Sequence, residues 1–290
     1  MVHRGAGGCG ALTPNLSELD LLRALLLFSM AVGPLGTHRY FSSDASRGCV
    51  RLGRAAYVGA LGCAAVGLFA PAPILCGVWL LFCAGSFAVF VWSRREALRS
   101  PKVLAACVPF LFSNVAAVWL VSGANDLHLL GYGMHFSFYA ALHGNVLGWI
   151  VIGALAILVD RVDREDLRAG PYLLAVFVCF VSFLLIALGI DRLRALKPIG
   201  VIGLSVALPL SQLAFLRSVW GQRARFALGA ISFAGLVFTM VLAWGNELAV
   251  RVLDDVLGVR AIVSVHGVLN AVVVAPCFLL AVSTTRARAA

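Results

Sequence analysis

Apolar residues run along this chain in long blocks rather than in the short alternations of a half-buried sheet. A helix that spans a bilayer needs about 20 mostly apolar residues, with a range of roughly 17–25. Nine blocks are candidates: Leu21–Leu35, Ala55–Ala70, Ile74–Trp92, Val103–Ser122, Leu129–Val159, Tyr172–Ile190, Ile199–Leu216, Phe226–Trp244 and Ala261–Val282. The first two are short. The fifth is long enough to tilt, or to break at His143-Gly144-Asn145. The pattern predicts an all-α fold: a polytopic transmembrane helical bundle of about nine spans. It divides the chain into a polar N-terminal segment (1–20), one transmembrane domain (21–282) and a basic C-terminal tail (283–290).

Composition agrees with the pattern. The chain has 290 residues, 61% of them hydrophobic and 12% charged, where a soluble domain carries about 25% charge. A formal charge of +10 would suit a nucleic-acid binder, but no such motif interrupts the apolar blocks, and no nucleic-acid partner is expected. Alternating the loops explains the charge better. Sixteen of the 23 Lys and Arg residues fall in the loops after spans one, three, five and seven and in the C-terminal tail. The loops at Ala70–Pro73 and Gly123–His128 hold none. Basic residues gather in cytoplasmic loops, so the N-terminus is expected outside and the C-terminus in the cytoplasm of a cell inner membrane. Ala31-Val32-Gly33 has the shape of a signal cleavage site, but Pro34 follows it and Glu18 and Asp20 precede the block. No signal peptide is predicted. Six of the eight cysteines sit inside apolar blocks, where cysteine acts as a small hydrophobe, and their spacing forms no metal motif.

Chemistry concentrates in two stretches. An ionisable residue within a membrane span is costly, and marks a functional site by default. His135, Tyr139 and His143 recur every four residues and so share one face of the fifth span. His266 and Asn270 do the same in the ninth. If both spans enter from the outer side, these groups occupy the outer half of the bilayer, with His143 nearest its middle. Glu247, at the outer end of the eighth span, is a candidate interfacial acid. Asn114 and Gln212 read as interhelical hydrogen-bond glue. A zinc helix would want a second His where Tyr139 stands, and neither a metal nor a diffusible cofactor is predicted.

At these residues the chain resembles the YndJ-like family of bacterial membrane proteins. The resemblance rests on Trp119, then His135-Phe136-Ser137-Phe138, then His266-Gly267-Val268-Leu269-Asn270-Ala271, with Val32-Gly33-Pro34-Leu35-Gly36 closing the first span. The chain departs from that pattern at Ser137, where the family has a second histidine, and at Tyr139, where it has Ala. The resemblance implies architecture more than activity.

Three functions are open at this level. A membrane-embedded enzyme would use His135 and His266 for proton transfer, with Tyr139 and Asn270 orienting and His143 and Glu247 in support. Its reaction would be an isomerisation or cyclisation of a lipophilic small molecule. A permease would use the same groups as a substrate or proton path, although nine spans do not divide into the paired halves of a conventional carrier. A haem- or quinone-binding subunit would use the imidazoles as ligands. Membrane lipids are the other expected partners.

Overall fold

The structure, a computed structural model, describes residues 17–42, 47–165, 169–250, 252–256 and 259–284. The polar N-terminal segment and the basic tail lie almost wholly outside the described residues, as does Cys9. The described residues are 87% helical, with no strand element among them. Among the described residues, nine helices are long and apolar enough to cross a membrane. The apolar blocks thus become spans in the predicted order.

The helices are α1 (Glu18–Ser42), α2 (Arg47–Phe69), α3 (Cys76–Ser93), α4 (Pro101–Ala124), α5 (Met134–His143), α6 (Ile152–Glu165), α7 (Ala169–Asp191), α8 (Leu196–Ser218), α9 (Arg223–Glu247) and α10 (Ala275–Ser283). The first two spans are longer than the sequence predicts. Polar residues such as Glu18 and Arg51 extend these helices beyond their apolar cores. Pro34 is carried inside α1.

Two spans depart from α geometry. In the fifth, α5 passes through a π-helical stretch, Gly144–Val151, into α6. The expected break at His143-Gly144-Asn145 is therefore a change of register within a continuous helix. The ninth is π-helical over Ile262–Gly267 and Leu269–Val274 before α10. The second of these stretches ends two residues before Pro276. In α geometry the Pro276 ring would crowd the carbonyl four residues back, and a wider π turn relieves that contact. Such π segments are frequent at functional sites. Here they fall in the two histidine-bearing spans.

The fifth span is the axis of the bundle: 89% of its most apolar stretch is buried, against 61% for α4 and less for every other span described. Lipid tails are as apolar as leucine, so membrane helices associate by close packing of small residues. Gly148 illustrates this. A Cβ there would stand 2.2 Å from Cγ of Phe112 on α4. A second seam joins α7 to α8, where a Cβ on Gly200 would lie 2.4 Å from the Ser182 carbonyl oxygen. On another side of the fifth span Trp149 donates to Thr37 of α1 at 3.1 Å and packs against Trp79, with ring centroids 5.8 Å apart.

The last helix is clamped at its C-terminal end by two buried arginines. Arg225 Nε donates to the Ala281 carbonyl at 2.9 Å. Arg161 donates to the carbonyls of Val282 and Ser283. The last turn of a helix leaves its carbonyls without helical partners, and a cation is favoured there by the helix dipole. Both residues entered the loop-charge count; in the fold they are packing elements.

Candidate functional site

α5 begins at the opposite end of the bundle from that clamp. It carries His135, Tyr139 and His143, of which Tyr139 reaches α1, and the polar groups there form two tiers.

The first tier is a charged knot at the helix ends. Arg260 precedes the ninth span and grips Glu18 of α1 through both carboxylate oxygens, Nε to Oε2 at 3.1 Å and Nη2 to Oε1 at 2.7 Å. The Tyr139 hydroxyl donates to the same Glu18 Oε1 and accepts from Arg260 Nη2 at 2.8 Å. The guanidinium carbon also lies 5.7 Å from the centroid of the Tyr139 ring. Forked binding of this kind suits the planar guanidinium. The hydrogen bonds to Glu18 raise the Arg260 pKa further above its already high value, so Arg260 remains a cation. His135 is exposed beside this knot, within electrostatic range of Glu18. Neither Glu18 nor Arg260 stood out in the sequence: one read as a pre-helix acid, the other as a loop charge. The available signal was that each stands at the mouth of a span.

The second tier lies one turn deeper. His143 Nδ1 is 2.8 Å from the Tyr139 carbonyl oxygen. His266 Nδ1 is 2.8 Å from the Thr239 carbonyl oxygen on α9. A carbonyl can only accept, so in each ring Nδ1 carries the hydrogen. That fixes the tautomer of the neutral imidazole and leaves Nε2 as an acceptor. The two rings lie within electrostatic range of one another. His266 is half-buried, while His143 is exposed on the side of the bundle. Asn270 supports His266 from one turn below. Its Nδ2 donates to the His266 carbonyl at 2.9 Å, and its Oδ1 lies 3.1 Å from the Thr239 hydroxyl. Thr239 thus holds His266 through its backbone and Asn270 through its side chain.

The other candidates lie elsewhere. Glu247 forms an ion pair with Lys197 at the start of α8. Ser137, at the position of the family's second histidine, is buried, with its hydroxyl 3.4 Å from that of Ser122 on α4. Asn114 donates to the Phe110 carbonyl within α4 and, across to α3, to the Cys83 carbonyl, and Gln212 of α8 donates to Ser232 of α9; the last two are interhelical contacts of the kind the sequence suggests. The six candidates are therefore not one constellation. His143 and His266 lie within electrostatic range of one another but bond to different carbonyls, Tyr139 joins Glu18 and Arg260, and Glu247 stands apart with Lys197. Among the described residues no three His, Cys, Asp or Glu side chains are grouped to hold a metal ion. A shallow groove of about 180 Å³ opens beside the knot, bordered by Asn246, Asp255 and Arg260.

The fold is a polytopic membrane bundle with a histidine in each of two spans, the fifth and the ninth, whose ring Nδ1 is held by a backbone carbonyl. The chain belongs to the YndJ-like protein family, whose model matches residues 24–274. The match includes His143, His266 and Arg260 but begins after Glu18, so only part of the charged knot lies within it. No curated protein and no solved structure matches the chain.

Proposed function

We propose that this chain is a membrane-embedded enzyme that moves protons on a lipophilic small molecule, by isomerisation or cyclisation, at His143 and His266. The observation that carries the reading is the pair itself. Two imidazoles from different spans are each pinned at Nδ1 by a backbone carbonyl. Each therefore offers Nε2 in the same chemical state. Positioned proton transfer of this kind contributes about 10²–10⁴-fold in rate. In this reading the Nε2 of one ring takes a proton from one carbon, the proton passes to the Nε2 of the other ring, and that ring returns it to another carbon, so that both imidazoles end neutral. Thr239 and Asn270 position His266, and Tyr139 positions His143 through its carbonyl. The carboxylate beside the site is Glu18, since Glu247 is committed to Lys197. His135 stands at the entrance.

The exposure of His143 on the side of the bundle supports entry from the lipid. By the distribution of basic loops, that entry faces the outer leaflet of the cell inner membrane, with the N-terminus outside. A transport path has less support, because the fifth span is apolar and buried from Ile150 to Val159 beneath the pair.

An isomerisation or cyclisation leaves molecular mass unchanged. Lipid extracts of cells expressing the wild-type chain and the His266→Ala variant are therefore compared for two species of equal mass and different retention. The proposal expects one to be converted to the other only with the wild-type chain. Identical extracts from the two would contradict it.

A further inference from the structure

At the opposite end of the bundle from the charged knot, a groove of about 580 Å³ runs along α3 where it faces Asn114 of α4. Ala84 and Ala88, one turn apart, make its floor, because a methyl leaves the space a larger side chain would fill. Val91 and Trp92 carry the groove to the end of α3, and Arg95 closes it. Ala84 to Trp92 is eight residues, roughly 12 Å at 1.5 Å per residue. The groove is thus an open apolar strip with a cation at one end. Trp92 is 71% exposed, and the Arg95 guanidinium carbon lies 4.8 Å from its ring centroid. An aromatic ring at this position marks the level of the lipid headgroups. Stacking on it holds the guanidinium at that level while leaving its edge open.

The charge around the mouth has one sign. Arg94, Arg95, Arg99 and Lys102 face a single acid, Glu96, in the same loop. Basic clusters beside apolar grooves recognise anionic headgroups.

We propose that this groove holds one acyl chain of an anionic phospholipid, with its phosphate against Arg95. The apolar floor selects a hydrocarbon chain, and the Arg95–Trp92 stack selects a negative headgroup at one fixed depth. The proposal is independent of the chemistry at His143 and His266.

The full chain, purified in detergent, is mixed with equal amounts of dioleoyl phosphatidylglycerol and dioleoyl phosphatidylcholine, and the retained lipid is counted by native mass spectrometry. The wild-type chain is expected to retain the anionic lipid by about fivefold over the neutral one, the value of one cation beside an anionic headgroup. Arg95→Gln is expected to abolish that preference. Ala88→Leu, or Ala84→Leu should the first variant fail to purify as a monodisperse species, is expected to remove the retained lipid altogether. Arg99→Gln, which leaves the groove intact, is expected to bind as the wild type does. Equal retention of the two lipids would overturn the proposal. So would undiminished retention in the filled-groove variants, or equal losses in Arg95→Gln and Arg99→Gln, which would point to diffuse attraction by the loop.

Discussion

Arg260 binds both carboxylate oxygens of Glu18 although 242 residues separate them. The pair ties the start of the first span to the mouth of the ninth, and Tyr139 brings the fifth span into the same knot. The Arg260 side chain is 61% exposed, so solvent screens the pair, and an exposed ion pair contributes about 1 kcal/mol or less. A double-mutant cycle of Glu18→Gln and Arg260→Gln, read by thermal unfolding in detergent, is expected to give a coupling of that size. The coupling should shrink as salt is added. Fully additive effects would show that the knot does not join the spans. Arg260→Lys is expected to behave like Arg260→Gln, because lysine cannot reproduce the forked grip.

Tyr139 has two separable roles. Its hydroxyl belongs to the knot, while its carbonyl holds His143. Tyr139→Phe removes only the first. The variant is expected to lose up to ~1.5 kcal/mol of stability, the scale of one hydrogen bond, and to retain most of the activity. An activity loss as deep as that of a histidine variant would place the hydroxyl in the chemistry itself.

Thr239 separates in the same way. Thr239→Val deletes the hydroxyl beside Asn270 but keeps the carbonyl that accepts from His266. Its activity is expected to fall by about tenfold, the effect of ~1.4 kcal/mol in a barrier, and to stay well above that of His266→Ala. Activity equal to wild type would remove Asn270 from the positioning of His266.

The spans were legible in the sequence because hydropathy and length alone decide them. The pairing inside the site was legible only in part. Helical spacing placed His135, Tyr139 and His143 on one face, but which of them comes nearest to His266 depends on how the spans are arranged. Spacing within a single helix does not contain that information. The π segments at Gly144–Val151, Ile262–Gly267 and Leu269–Val274 shift side-chain directions relative to α geometry, and of these only the last has a cue in the sequence, Pro276. Glu18 and Arg260 were hidden for a different reason: each has an ordinary explanation as a charge at a helix end, and only the fold brings them into contact. Arg161 and Arg225 counted correctly as basic residues near one end of the bundle, yet their burial against α10 follows from tertiary packing.

Close packing of the fifth span on α4 gives a prediction about folding. A Cβ at Gly148 would stand 2.2 Å from Phe112 Cγ, whereas one at Gly153 would meet nothing nearer than Pro109 at 3.6 Å. Gly148→Ala is expected to cost roughly 1–3 kcal/mol through overpacking, and Gly153→Ala to be tolerated. Equal thermal stability of the two variants would contradict this packing of the central span.

Asn145 follows His143 closely and is fully buried, with neither polar atom of its amide in a hydrogen bond among the described residues. An unsatisfied buried amide costs about 1–3 kcal/mol. Asn145→Leu is therefore expected to unfold at a temperature equal to or above that of the wild type. A marked fall in stability would mean that the amide is satisfied, as by a bound water molecule.

The central claim is that His143 and His266 act as one unit. The decisive measurement is the rate at which matched amounts of folded wild type, His143→Gln, His266→Gln and the double variant convert the equal-mass precursor in membranes. Residues that act together are strongly non-additive. The account predicts that each single variant loses conversion and that the double variant is no worse than either. Wild-type rates in a single variant, or losses that multiply in the double variant, would contradict it.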